Sequence, residues 1–546
     1  MTDSRKFHIS TSSIFMLFCL FLLITGYFKI GLVSDDYLNF YDAAHTTVSE
    51  KFTGKLPFTN TYHLRPVYYL SLEKSMFISN WLGFAYDDFT FYRIQNLVLL
   101  LLISYITGRI LLQLSGRYTL AIIASITVLL FPNNLNNICW TAARVDLLCA
   151  LFYITIIYFT IRYIEKKEIL SLSLVYPAYF LALLTKETSL TIPVVITLLV
   201  LFIYSKDILF RHKVFFISLF GILIAVLLYR FLIIGNDINV IATMYQENPL
   251  SNAPGVIARA FIALTIPLDF LTLSRMLKQD NKIVILYLAS LYGAIFYLIW
   301  VMVKVDVYKH IGQLLILGLI LISPYIYVGY IRPQMVFIPF IILLIHTFWV
   351  YDHHRQFNVS LNKSILRVFY AVALIFWGAW SYMVIDDWGT SYQKAIINVN
   401  SLIRTGLEQP KLNIVIGSPG RYKQTFLFDK LTGAYNFWKE KSFEIKDTIN
   451  DIVQTGALDE SSIGAKLDIV NLGYNEYEIK ATGKTQFFYI EGYNIEKIRS
   501  GFKNKDMSVE FTEFNYLDKP IKLKLKILSN DVNCYLASEF KFTRIF

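Results

Sequence analysis

The stretch Leu32-Val33-Ser34-Asp35-Asp36-Tyr37 sets two adjacent carboxylates directly after an apolar run, Ile14 to Val33. A run of that length crosses a bilayer core, which takes roughly 20 residues. It is too long for a signal-peptide core and no small-residue cleavage site follows, so it reads as a retained span. An acidic pair at its exit lies at the membrane surface, where charge costs far less than in hydrocarbon. That position suits a general base acting on a substrate carried in the lipid. The plainer reading is a polar stop at a span end, which is ordinary.

Working outward, apolar stretches of similar length recur. Of 546 residues, 55% are hydrophobic and 17% charged, and mean hydropathy is +0.49. This composition excludes an ordinary soluble domain. About 11 spans are expected, near 14–33, 91–112, 118–131, 146–163, 169–184, 189–204, 214–234, 283–303, 311–328, 334–350 and 366–385. The fold expected is an α-helical polytopic membrane protein over residues 1–385, followed by an extracytoplasmic α+β or β-rich domain over 386–546.

Lys and Arg orient the spans. Arg5 and Lys6, Arg117, Arg162 with Lys166 and Lys167, Lys206 with Arg211 and Lys213, Lys304 with Lys309, and Arg355 with Lys363 and Arg367 all fall on one side. The positive-inside rule makes that side cytoplasmic. The net charge of +11 is explained this way and calls for no nucleic-acid partner. Asp35 and Asp36 are then extracytoplasmic, as is the C-terminal region. Of the four cysteines, Cys19 and Cys149 fall in expected spans, which leaves Cys139 and Cys534 to meet oxidising solvent.

Residues 386–546 change character. Leu412 to Ile416 followed by Gly417-Ser418-Pro419-Gly420 reads as a strand into a turn. The segments 487–490, 509–514, 521–527 and 540–542 are β-rich or alternating. The Lys alternation at 521–527 predicts a sheet with one wet face.

Cations that break the orientation rule need a reason. Arg144 follows Phe131-Pro132 and Trp140 and leads into Val145-Asp146; Lys186 lies in Leu184-Thr185-Lys186-Glu187-Thr188; Arg332 precedes Pro333; Arg65 precedes Pro66 in the first long loop. Cations beside carboxylates at a lipid surface are what an enzyme using a lipid phosphate needs, to bind the phosphate and stabilise its charge as it leaves. The bland alternative is local pairing, Arg144 with Asp146 and Lys186 with Glu187. His63 is a further candidate for binding or proton transfer, with a local hydrogen-bonding role as its plain reading. No His/Cys/Asp set has metal spacing, and there is no P-loop or dinucleotide fingerprint.

The ordered set of Asp35-Asp36, Arg65-Pro66, Phe131-Pro132, Arg144-Val145-Asp146-Leu147-Leu148 and Lys186-Glu187-Thr188 resembles the GT-C superfamily of membrane glycosyltransferases. It is most similar to the protein O-mannosyltransferase and TMTC-type groups, with lipid A aminoarabinose transferases more distant. The resemblance covers roughly residues 10–385, and the tetratricopeptide repeats of TMTC proteins are missing from this sequence. It implies a polyprenyl-phosphate-sugar donor, an extracytoplasmic glycan, lipid or protein acceptor, and inversion at the anomeric carbon. On this chain, Asp35 would be the base and Asp36 would support it or orient the acceptor. Lys186, Arg65 and Arg332 would hold the donor phosphate, Arg144 and Asp146 would shape the pocket, and Glu187 would hold Lys186. One carboxylate and one or two cations suffice, so no cofactor is required; a divalent metal bound by paired acidic residues, as in some of the wider superfamily, stays open. The expected location is a bacterial inner membrane. The competing functions are a flippase for lipid-linked sugars and a polysaccharide polymerase or ligase.

Overall fold

The computed structural model describes residues 3–56, 64–234, 249–266, 308–328, 331–354, 363–406 and 431–441, the strands named below, and scattered positions between 273 and 293. Its helices, in chain order, are α1 (Asp3–Ile24), α2 (Asp36–His45), α3 (Val48–Thr53), α4 (Pro66–Trp81), α5 (Thr90–Ser115), α6 (Tyr118–Leu130), α7 (Pro132–Cys139) and α8 (Arg144–Lys166). There follow α9 (Ile169–Leu183), α10 (Ile192–Ile203), α11 (Lys206–Arg211), α12 (Lys213–Ile234), α13 (Pro249–Thr265), α14 (Tyr308–Val328), α15 (Phe337–His354), α16 (Lys363–Thr405) and α17 (Leu431–Glu440).

Six described helical stretches are long and apolar enough to cross a membrane: Asp3–Ile24, Thr90–Ser115, Thr141–Lys166, Lys213–Ile233, Lys309–Val328 and Pro333–His353. The count becomes seven if α6 and α7, bent by 56° at Phe131, form one broken span. This is fewer than the 11 expected. The α9 helix has 15 residues, about 22 Å at 1.5 Å per residue, short of a core about 30 Å thick. The segment Glu187–Ile203 is likewise a shorter apolar helix. The expected span at 283–303 lies largely outside the described residues. The expected span at 366–385 is the first half of α16, which runs on without a break through the boundary drawn at 385. Multiple crossings of a membrane remain the reading that these apolar helices fit.

The first span also sits differently from expectation. α1 stops at Ile24 rather than Val33, because Gly26 takes a left-handed conformation (φ 79°) that ends the helix. A short 3-10 turn over Tyr27–Lys29 and an extended stretch then carry the chain to Asp35. The carboxylates thus open α2, with Asp35 as its N-cap and Asp36 its first residue.

Close helix packing fixes the bundle around this loop. On the seam between α5 and α6, Ser104 Oγ donates to the Ser125 carbonyl at 3.0 Å and Ser125 Oγ returns a bond to the Ser104 carbonyl at 3.1 Å. A Cβ on Gly108 would lie 2.4 Å from Ser125 Oγ. Small and hydroxylic residues are what lets apolar helices meet closely where no water drives them together. One continuous buried core links α1, the Asp35 loop, α5 to α10, α15, α16 and α17. Cys139 is fully buried within it, contrary to the expectation that it meets solvent.

Beyond α16 the described strands form two sheets. One has the order β12-β11-β1-β4-β2-β3 with β7 on β4, where β1 is Leu412–Ile416, β2 Pro419–Tyr422, β3 Thr425–Phe426, β4 Ile452–Asp459, β7 Tyr489–Ile490, β11 Val532–Ser538 and β12 Lys541–Arg544. Its β1–β11, β1–β4 and β2–β4 pairs are parallel. The other sheet is antiparallel in the order β5-β6-β10-β9-β8: Lys466–Gly473, Glu476–Thr482, Ile521–Ile527, Met507–Glu513 and Phe502–Lys503. In β10 the expected wet face is present: Leu525 is buried opposite Tyr477, while Lys524 and Lys526 are exposed. Lys526 pairs with Glu476 across the strands at 2.5 Å. Of the turn expected at 417–420, only 419 and 420 are described, and they begin β2.

Candidate acidic and cationic site

Asp36 is a structural pin. Its side chain is fully buried. Its Oδ2 accepts the Val33 N–H at 3.0 Å and its Oδ1 the Ala142 N–H at 2.6 Å. The carboxylate therefore ties the loop before α2 to the turn before α8. Burial pushes its pKa up to about 6, against the pull of the Arg93 guanidinium and of the backbone N–H groups around it. Asp35 is half-buried beside it, and its backbone carbonyl accepts the Asn39 side-chain amide at 2.8 Å. Ser34, between this pair and Val33, holds φ 61°, a left-handed conformation unusual for a residue with a side chain.

Arg93, in the first turn of α5, is the second pin and was missed from sequence. It is fully buried. Its guanidinium donates to the carbonyls of Ile30 at 2.9 Å, Gly31 at 2.5 Å, Ile138 at 3.1 Å and Cys139 at 2.5 Å. The signal was available: Arg93 breaks the orientation rule just as Arg144 does. Arg230, near the end of α12, is a second such miss.

The cations pair differently from the local pairing considered from sequence. Lys186 Nζ forms a buried ion pair with Asp146, not Glu187. Glu187 instead receives Arg65, whose Nη2 donates at 2.7 Å and Nε at 3.2 Å. Arg230 approaches the same carboxylate at 3.7 Å and donates to the Leu183 carbonyl at 2.7 Å. Arg144 does not bond to Asp146: its Nε donates to Asn96 Oδ1 at 3.0 Å and its Nη1 to Ser75 Oγ at 2.6 Å. This joins α8 to α5 and α4. Buried guanidinium groups need such satisfied donors, and here neutral oxygens supply them.

The α4 helix draws these parts together. Arg65 caps its start, the Val67 N–H donates to the Leu184 carbonyl at 3.2 Å, and Tyr69 Oη donates to Asn39 Oδ1 at 3.3 Å. Tyr68, fully buried, lies within electrostatic reach of Asp35, Asp36 and Arg144. Burial first, and then Tyr69 and the two carboxylates, hold its hydroxyl well above the usual tyrosine range. On the far side, the buried Tyr325 of α14 is within electrostatic reach of Asp146, Glu187 and Arg65. Its hydroxyl has no hydrogen-bond partner among the described residues. No protein-family model matches the chain, and no curated protein matches it significantly.

Of the remaining candidates, Arg332 is half-buried and begins the 3-10 turn Pro333–Val336. That turn is tied to α7 by the Asn137 amide donating to the Gln334 carbonyl at 3.3 Å. His63 lies outside the described residues. No cluster of three or more metal-ligating side chains occurs among the described residues. The arrangement offers one half-buried carboxylate on a pinned, strained loop. Through α4 this loop is joined to a band of cations whose counter-charges are already in place.

Proposed function

We propose that the chain is a GT-C-type membrane glycosyltransferase moving a sugar from a polyprenyl-phosphate donor to the hydroxyl of an extracytoplasmic acceptor. The observation that carries this reading is the joining, through α4, of the Asp35 loop to the band of Lys186–Asp146 and Arg65–Glu187–Arg230 pairs. Asp35 takes the proton of the acceptor hydroxyl as its oxygen attacks the anomeric carbon. The bond from that carbon to the phosphate oxygen breaks on the opposite face, so the configuration inverts. Polyprenyl phosphate leaves carrying the charge, which Lys186 and Arg65 stabilise. Asp36 takes no part in proton transfer; it holds the loop. Asp146 and Glu187 keep the cations in place when no donor is bound, which avoids leaving buried charge uncompensated. The site faces the outside of a bacterial inner membrane in this reading, with the two sheets on the same side. The acceptor is a glycan, lipid or protein.

The test uses membranes carrying the full chain and a panel of radiolabelled polyprenyl-phosphate sugars. Release of polyprenyl phosphate with transfer of label into acceptor material supports the reading. Movement of intact donor between leaflets without release overturns it in favour of a flippase.

A further inference from the structure

The helix α17 reaches the Asp35 loop. Trp438 Nε1–H donates to Tyr37 Oη at 2.9 Å, and Tyr37 Oη donates in turn to the Leu32 carbonyl at 3.0 Å. Tyr37 is the residue after Asp36 and is almost fully buried. Its ring packs against Phe437 with centroids 5.5 Å apart; Phe437 also meets Phe89 at 6.1 Å, and Trp438 meets Tyr86 at 6.1 Å. Between Leu32 and Tyr37 lie the left-handed Ser34 and the two carboxylates. A backbone held in a sparsely populated conformation persists only where its surroundings over-determine it. Asp36 and Arg93 fix one side of the loop, and the Trp438–Tyr37–Leu32 relay fixes the other.

We propose that Trp438 is a positioning residue, which through Tyr37 holds the Asp35 loop in its strained form and makes α17 part of the functional site. The inference takes only the importance of Asp35 from the proposed function. It concerns a residue more than 400 positions away in sequence from the one it positions. Trp438→Phe keeps an aromatic ring against Tyr86 and Phe437 and removes the N–H donor; Tyr37→Phe removes the hydroxyl from the middle of the relay.

The experiment measures loop opening without needing activity. Asp35→Cys is introduced into the full chain, purified in detergent, and its reaction with a soluble maleimide is timed, with label on the parent chain subtracted. Trp438→Phe and Tyr37→Phe are each expected to speed the reaction about five-fold, the change in open population that loss of one hydrogen bond produces. Ser49→Cys, at an exposed position of α3, serves as the control and is expected to react at an unchanged rate. An unchanged Asp35→Cys rate in both backgrounds overturns the proposal. So does equal acceleration at Ser49→Cys, which would mean general loosening. In the transferase assay, Trp438→Phe is expected to lower kcat with the donor KM unchanged. Failure of that assay for the parent chain bears on the proposed function, while the labelling result stands separately.

Discussion

Two adjacent aspartates, alike in sequence, are set apart by what surrounds them. Asp36 is fully buried and accepts two backbone N–H groups; Asp35 is half-buried at the start of α2. The elevated pKa of Asp36 has a consequence for stability. The folded state keeps its proton up to about pH 6, whereas the carboxyl ordinarily releases it near 3.8. Between those values the folded chain binds more protons, so the contribution of Asp36 to stability falls as pH rises through the window. Thermal unfolding in detergent, compared with Asp36→Asn, should show the wild-type chain losing relative stability from about pH 4 to about pH 6 and no further change above. A difference that stays flat through the window would contradict burial outweighing the pull of Arg93. The resemblance gave the two carboxylates different roles, but the sequence could not show which one is buried or what holds it. The partners, Val33, Ala142 and Arg93, come from three separate segments. Likewise Lys186 and Glu187 are neighbours in sequence yet serve different partners, because successive residues on the turn after α9 face different helices.

At the scale of elements, the loop between α1 and α2 depends on close backbone approach. A Cβ on Gly31 would fall 2.1 Å from the Tyr392 ring of α16, and the Gly31 carbonyl is held by Arg93. Gly31→Ala should therefore displace either the ring or the loop, costing about 1–3 kcal/mol, the usual penalty for overpacking. Unfolding of the variant in detergent checks this; a fully stable Gly31→Ala chain would mean that α16 does not press on the loop. Helix interiors were legible from sequence because apolar runs are strong signals, and α5, α8, α12, α14 and α15 fall where hydropathy placed them. Ends were not. Gly26 breaks α1 inside a run that is almost wholly apolar, and hydropathy alone passes over Gly26, Lys29 and Gly31, where the helix gives way to a 3-10 turn and an extended stretch. The strands β1, β9, β10 and β12 were readable from β-rich runs and alternation, but their pairing was not, since β1 takes partners from residues 452–455 and 532–536.

At the scale of the whole molecule, α4 joins the acidic loop to the band of paired cations, and α17 joins it to the region beyond α16. α16 continues from the helical bundle into contact with α17 and the first sheet, so the part beyond residue 385 is joined to the part before it. Composition pointed to long apolar helices and to a change in character after residue 385; it could not show that α17 returns to Tyr37, a contact between distant segments that no local pattern records. In the proposed function, Asp35 is the base of a glycosyl transfer. The most direct measurement compares transfer of label from the preferred polyprenyl-phosphate sugar by the wild-type, Asp35→Asn and Asp36→Asn chains, each confirmed folded in membranes. Asp35→Asn is expected to lose about 10²–10⁴-fold, the range for a lost general base, with donor still bound, and Asp36→Asn to lose less, in step with its stability. Wild-type turnover in a folded Asp35→Asn chain would contradict it.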